Sequence, residues 1–255
     1  MLNSIVAKKR LEVARAKQQV PVSSLRSSVQ PGSFALSRAL KAREWGLIAE
    51  CKLASPAKGT LCDGYSAPEL AEIYTSHGAA ALSVHTDPHF KGLLTDIAAV
   101  RQVTDLPILR KDFIIDEYQI YEARAAGADA ILLIAAILTD DRLLHYLYQA
   151  WSLGLDCLVE VHTREELQRV LKTPAELIGI NNRNLKTFTT DISNTFDLLP
   201  DCQGARMVIS ESGIQSAGDA RRLKASGVRG ILVGEGLVRA HDIGRKTREL
   251  TLHEE

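Results

Sequence analysis

Five charged residues of this 255-residue chain stand where they could move protons: Glu50, Lys52, Lys111, Glu160 and Glu211. Each lies at or near the end of a short apolar run, where a strand gives way to a loop. Lys111 is the sharpest case, in Leu106-Pro-Ile-Leu-Arg-Lys-Asp-Phe-Ile-Ile-Asp116. An ammonium there is costly to bury, and desolvation moves its pKa toward the range useful for a proton donor near neutral pH. Alone it reads as a surface lysine, because lysine is seldom buried. Two lysines and up to three glutamates gathered at one mouth point instead to acid–base chemistry. The competing reading is a set of ion pairs that closes one end of the fold. For Glu211 the carboxylate could serve only to orient a neighbouring lysine.

The elements that would gather these residues are visible as eight apolar, β-branched runs: Leu47–Lys52, Ala80–Val84, Leu106–Arg110, Ala130–Ile134, Asp156–Val161, Leu177–Asn181, Met207–Glu211 and Gly230–Gly234. Most are continuous rather than alternating, as expected of parallel strands covered by helices. Helical spacing fills Pro68–His77, Asp116–Ala126, Thr139–Leu153 and Ala217–Ser226, and a glycine follows each as a left-handed stop. Thr139 and Thr163 precede acidic first turns, which suits the helix dipole. Strand starts recur every ~22–32 residues, the length of a βα unit. Eight such units predict an α/β fold, a (β/α)8 TIM barrel, typically of ~250 residues. An open doubly wound sheet would more often show GxGxxG after its first strand, and that motif is absent there.

Residues 1–46 precede the first strand and predict an extra N-terminal helical arm packed on a barrel of residues 47–255, one domain overall. Val6–Gln18 and Phe34–Arg43 have helical spacing, with Ser33 as N-cap of the second, and Pro21–Gly32 reads as a linker.

Barrel active sites lie at the carboxyl ends of the strands. Period two sends Glu50 and Lys52 inward together and Cys51 toward the helices. Asn181 and Arg183 end the sixth strand. The seventh and eighth strands end in Ser212-Gly213-Ile214 and Gly234-Glu235-Gly236. Loops at those two places commonly cradle a phosphate, and glycine lets backbone N–H groups approach it. Glu235 is expected to offer its N–H while its carboxylate points away. His85, His89 and His162 are read as loop or rim residues, because neither HExxH nor a metal-ligand spacing is present.

The bulk numbers exclude several classes. Lys+Arg and Asp+Glu are both 31, so no basic stripe suggests a nucleic-acid partner. No apolar run is long enough for a membrane span, and the N-terminus lacks a signal-peptide core. The four cysteines lack CxxC or zinc spacing and suit free thiols in a cytoplasmic setting.

Longer motifs then resemble one family, indole-3-glycerol phosphate synthase. They are Ile48-Ala-Glu-Cys-Lys52, Ala54-Ser-Pro56, Lys58-Gly59, Leu82-Ser-Val84, Leu109-Arg-Lys-Asp-Phe-Ile-Ile-Asp116, Gln119 to Asp129, Leu158-Val-Glu-Val161, Ile178-Gly-Ile-Asn-Asn-Arg-Asn-Leu-Lys-Thr-Phe188 and Ser210-Glu-Ser-Gly-Ile214. The resemblance spans essentially the whole chain and implies closure of the indole ring in tryptophan biosynthesis. In that reaction 1-(2-carboxyphenylamino)-1-deoxyribulose 5-phosphate loses CO2 and water to give indole-3-glycerol phosphate. It implies no metal and no organic cofactor, and leaves any tryptophan-pathway partner enzyme undetermined. By motif, Lys111 becomes the general acid and Glu160 its partner in dehydration. Lys52 pairs with substrate anions and shares proton delivery. Glu50 and Glu211 hold and tune the lysines. Asn181 and Ser212 hydrogen-bond substrate, and Arg183 braces the polar cluster. Ser55, Gly213 and Gly234 form anion sites, and Phe113 and Leu185 line the anthranilate pocket.

The chain departs from the family pattern in four respects. Leu53 stands for a basic residue, Ala57 for a serine and His85 for an apolar residue. The loop Thr86-Asp-Pro-His-Phe-Lys-Gly-Leu93 has one aromatic, Phe90, in place of two, and looks one residue shorter. These changes touch the rim and aromatic pocket. Two rival readings are phosphoribosylanthranilate isomerase, which needs a Cys/Asp-type pair, and a non-catalytic ligand-binding barrel, which would have lost Lys111 or Glu160.

Overall fold

Eight parallel strands close on themselves in a computed structural model that describes residues 2–55, 58–185, 187, 189–202, 204 and 206–253. In chain order they are β1 (Gly46–Cys51), β2 (Ala81–His85), β3 (Ile108–Lys111), β4 (Ala130–Ile134), β5 (Asp156–Val161), β6 (Leu177–Asn181), β7 (Met207–Glu211) and β8 (Gly230–Val233). Each pairs with its sequence neighbours, and β1 closes the ring on β8. This is the (β/α)8 barrel that the eight runs predict. The third strand differs most, starting after Pro107 and running through Lys111. Proline has no N–H to give a ladder, so pairing starts past it.

Three helices precede β1: α1 (Leu2–Gln19), α2 (Val22–Ser28) and α3 (Ala35–Lys41). The stretch read as a linker therefore contains a helix. Ser33 is not the cap of α3. Phe34 holds that position at φ 54° with no side-chain capping bond, and Ser33 instead accepts from Arg38. The outer helices are α4 (Ala67–Ser76), α5 (Thr95–Arg101), α6 (Tyr118–Ala125), α7 (Asp140–Ser152), α8 (Arg164–Leu171), α9 (Ser193–Leu198), α10 (Ala217–Ala225), α11 (Glu235–Val238) and α12 (Ile243–Thr251). Their starts follow from local chemistry. Ser66 with Glu69 and Ser216 with Asp219 form capping boxes, and Thr139 and Thr163 accept from the backbone three residues on. Gly78, Gly127, Gly154 and Gly227 all have positive φ where their helices stop.

Side-chain parity divides the core in two. Leu47, Ala49 and Cys51 face the helices in the outer cluster. Ile48, Leu109, Leu132, Leu158, Ile209 and Leu232 fill the barrel, together with Leu36 and Leu40 of α3. Thus α3 plugs the amino-terminal end of the barrel. Its Ser37 N–H donates to Asp156 at 2.9 Å, and Gly46 leaves room for Leu40. The opposite end stays open for chemistry.

Candidate active site

A cleft of about 620 Å³ opens at the carboxyl ends of the strands. All fourteen residues expected to form the site line it, from Glu50, Lys52 and Ser55 to Gly234 and Glu235. Period two explains the convergence: Glu50, Lys111, Glu160 and Glu211 each point inward from the last turn of a different strand.

At the centre, the Lys111 ammonium lies 2.6 Å from Glu211 Oε2 and 3.1 Å from Glu160 Oε2. Burial works against its charge, but Glu211, Glu160 and Glu50 outweigh burial and hold the pKa above the ordinary lysine value. The expected lowering by desolvation is therefore corrected: three carboxylates keep Lys111 charged. They do not ionise equally. Burial pushes Glu211 up to about 7, against the pull of Lys111 and with the repulsion of Glu160 added. Glu160 is buried too, yet Lys111, His162 and Asn181 hold it below its usual value. Glu211 thus titrates near neutrality while Glu160 stays anionic.

Two glycines make space for these carboxylates. A Cβ on Gly179 of β6 would lie 2.0 Å from Glu211 Oε1, and one on Gly234 would lie 2.0 Å from Glu50 Oε2. Gly234 therefore accommodates Glu50 as well as flanking the anion loop. Ser212 and Gly213 both have positive φ and swing the chain away after β7. A Cβ on Gly213 would meet Thr190 at 2.6 Å.

Glu50 sits between His85 Nε2 at 3.0 Å and Lys52 Nζ at 3.4 Å. Lys52 also lies 5.5 Å from the Phe90 ring centre. His85 is a buried strand residue, not a rim residue, because β2 runs through it. His162 is likewise buried, 3.3 Å from Glu160 and 3.4 Å from Glu166. His89 fits the loop reading and leans on Asp87.

The phosphate end also differs from expectation. The Glu235 carboxylate does not point away. It binds Lys58 at 2.5 Å and Arg239 at 3.1 Å, and Arg183 approaches to 3.9 Å. Burial alone would raise its pKa, but these cations hold it low. Ser55 Oγ accepts the Lys58 N–H at 3.2 Å. Asn181 Oδ1 accepts the Arg183 N–H at 3.0 Å, which links the sixth strand's end to this cation group. Phe113 and Leu185 stand on the cleft wall, and Ala57 lies outside the described residues.

Sequence reasoning missed Lys9. It lies on the buried face of α1 with Ile5 and Val13, and it binds Asp87 at 2.8 Å, Asp112 at 2.9 Å and Glu12 at 2.7 Å. Asp112 in turn binds Arg110 and Thr86. The arm thereby grips the loops after β2 and β3, beside Lys111. The available signal was the spacing Ile5–Lys9–Val13, which sets a lysine on an apolar helical face. Cys51 is buried among helices, and burial pushes its thiol far up, which removes it from acid–base work. Among the described residues no cluster of His, Cys, Asp and Glu could hold a metal ion, and no helix is long and apolar enough to cross a membrane.

A family model described as indole-3-glycerol phosphate synthase matches residues 2–250. Relatives given that same name include one from Desulforamulus reducens, 46% identical, covering 99% of this chain and 97% of its own length. One from Laribacter hongkongensis is 45% identical over 96% of each chain, and one from Azospirillum brasilense is 44% identical over 98% of each. Among solved structures, a 3-hexulose-6-phosphate synthase superposes with a TM-score of 0.64 at 18% identity, over 81% of this chain and 98% of that one. A thiamine phosphate pyrophosphorylase from Pyrococcus furiosus gives 0.60 at 19% identity, over 81% and 94%. These two likenesses concern the fold alone.

Proposed function

The chain belongs to the indole-3-glycerol phosphate synthase family, and from that premise we propose how its residues divide the work. The reaction is a carboxy-lyase ring closure on a small phosphorylated substrate, and neither rival reading is favoured. The observation that carries the assignment of roles is Lys111, held charged between Glu160 and Glu211 at the barrel mouth.

The aromatic carbon bearing the carboxylate attacks the ketone of the deoxyribulose chain. Lys111 gives its proton to the ketone oxygen as that bond forms, so the developing alkoxide becomes a hydroxyl that stays on the carbon. Departure of CO2 returns the electron pair to the ring. In the dehydration the hydroxyl departs as water with a proton from the recharged Lys111, while Glu160, kept anionic, takes the proton lost from the carbon next to the ring nitrogen. Glu211 titrates near neutrality and can return a proton to the lysine. Lys52, steadied by Glu50, faces the substrate's carboxylate. Lys58, Arg183 and the glycine loops at Gly213 and Gly234 receive the phosphate, with Ser55, Asn181, Ser212 and Glu235 ordering that shell. Phe113 and Leu185 flank the aromatic ring.

Residues 1–46 act as an extension of the 47–255 barrel, with α1 bracing its mouth through Lys9 and α3 plugging its opposite end. Four unpaired cysteines favour a reducing, cytoplasmic setting. Formal neutrality gives no basis for nucleic-acid binding.

The test is direct. Purified protein is mixed with 1-(2-carboxyphenylamino)-1-deoxyribulose 5-phosphate and indole fluorescence is followed. Turnover is expected, and Lys111→Ala should abolish it while the fold survives. Silence of the wild type at micromolar enzyme would refute the reaction, and normal turnover by Lys111→Ala would refute the roles.

A further inference from the structure

We propose that His85 is a positioning residue: its imidazole fixes the Glu50 carboxylate and the Phe90 ring, the two neighbours that together place the Lys52 ammonium. The inference rests on the reaction assigned above.

The geometry is closed on every side. Register sets His85 opposite Lys111 across the β2–β3 ladder, so both side chains face inward at the mouth. His85 Nε2 lies 3.0 Å from Glu50 Oε1. The other oxygen of Glu50 faces Lys52 at 3.4 Å and presses against the bare Cα of Gly234, where a Cβ would come within 2.0 Å. The carboxylate is thus held by an imidazole, an ammonium and a missing side chain. The other face of the imidazole stacks on Phe90, with ring centres 4.3 Å apart and planes within 10°. Phe90 in turn carries Lys52 over its face at 5.5 Å and leads on to Phe113 at 6.4 Å. His85 therefore touches both supports of Lys52 without touching Lys52 first. An apolar side chain would keep the volume and lose the contact to Glu50.

The charge state fits. The charged groups facing the ring are Glu50, Lys52 and Lys111. Burial lowers the imidazole pKa and the two ammoniums add to that, while Glu50 opposes them without prevailing. The ring is neutral, and its Nε2 stands 3.0 Å from the Glu50 carboxylate as a close polar contact rather than a well-aimed hydrogen bond. The flat ring also extends the pocket wall next to Phe90, where the loop after β2 carries a single aromatic.

Three variants separate these parts. His85→Phe keeps a flat ring and removes the N–H; His85→Gln keeps an N–H near the same place and removes the ring; His85→Leu removes both. Steady-state rates by indole fluorescence should show kcat reduced about tenfold in His85→Phe, the effect of losing one close polar contact to a charged group. His85→Gln should recover most of that kcat with a raised KM, and His85→Leu should show both losses. Binding of the product, indole-3-glycerol phosphate, should stay within about twofold of wild type in His85→Phe, because the product has lost the carboxylate that Lys52 faces. A second measurement does not depend on turnover. In the wild-type protein the His85 imidazole resonance should move on Glu50→Gln, followed by NMR. Wild-type kcat and KM in His85→Phe, product affinity falling in step with kcat, or an unmoved resonance in Glu50→Gln would each overturn the inference. An inactive wild type with a shifting resonance would instead overturn only the reaction.

Discussion

Gly179→Ala should disable the enzyme while leaving it folded. Gly179 lies in the middle of β6 with ordinary extended geometry, so its backbone does not demand glycine. The side chain does. An added Cβ would stand 2.0 Å from Glu211 Oε1, 3.2 Å from its Cδ and 3.4 Å from Leu158 Cδ1. The carboxylate must retreat by about 1.4 Å to regain normal contact. Lys111, bound to that carboxylate at 2.6 Å, moves or loses its partner. Misplacement of about 1 Å at a reacting group costs about 100-fold in rate. We therefore expect kcat to fall by about 100-fold with KM within about threefold, since the phosphate end is untouched. Overpacking should cost about 1–3 kcal/mol, which lowers Tm by roughly 2–10 °C for a chain of this size. Initial rates by indole fluorescence and melting by circular dichroism read both effects. The double variant Gly179→Ala with Glu211→Ala removes the clashing group, so it should be no slower than Glu211→Ala alone. A Gly179→Ala protein with kcat within about threefold of wild type would refute the steric argument.

The pH dependence should carry the mark of Glu211. Its folded pKa of about 7 is above the unfolded 4.5, so the stability it contributes is present below 4.5 and lost as pH rises through 7. Glu211→Gln should flatten the fall in unfolding free energy over that window in urea titrations, and it should remove an ionisation near 7 from the pH–rate profile; an unchanged pair of profiles would count against the assignment. Lys9→Met keeps the stem and removes a buried charge that faces two buried aspartates, so stability should fall by about 3–5 kcal/mol, and proteolysis should reach the loops after β2 and β3 sooner. A variant as stable as wild type would show that Lys9 is not a clamp. Glu235→Gln releases Lys58, Arg183 and Arg239 from their carboxylate, and inorganic phosphate should then inhibit about threefold or more tightly. Unchanged or weaker inhibition would mean that these cations do not meet phosphate.

What could be read from the chain follows the range of the forces involved. Strands, glycine stops and capping boxes are set within a few residues, and parity alone turned Glu50 and Lys52 inward and Cys51 outward. The set of mouth residues was legible for the same reason. The electrostatics was not. Lys111 reads as a lysine of lowered pKa until Glu160 and Glu211, from two other strands, are brought within 3.1 Å and 2.6 Å. His85 and Glu235 were misjudged because their partners, Glu50 and Lys58, come from the β1 side of the ring closure. Lys9 needed the docking of α1 across the mouth, which no local pattern specifies.

The plug formed by α3 bears on the order in which the molecule assembles. Leu36 and Leu40 share one buried cluster with Ala80, Ala130, Leu177 and Met207, so their burial waits on strands spread through most of the chain. Trp45, just before β1, donates its ring N–H to the Leu250 carbonyl in the last helix. An arm that precedes the barrel in synthesis therefore docks only after the barrel has nearly closed, and such distant contacts are slow to form. Until then its apolar face is open to chaperones and to other chains. Leu40→Ala should accordingly speed unfolding more than it slows refolding, since the contact it removes belongs to the final stage of assembly.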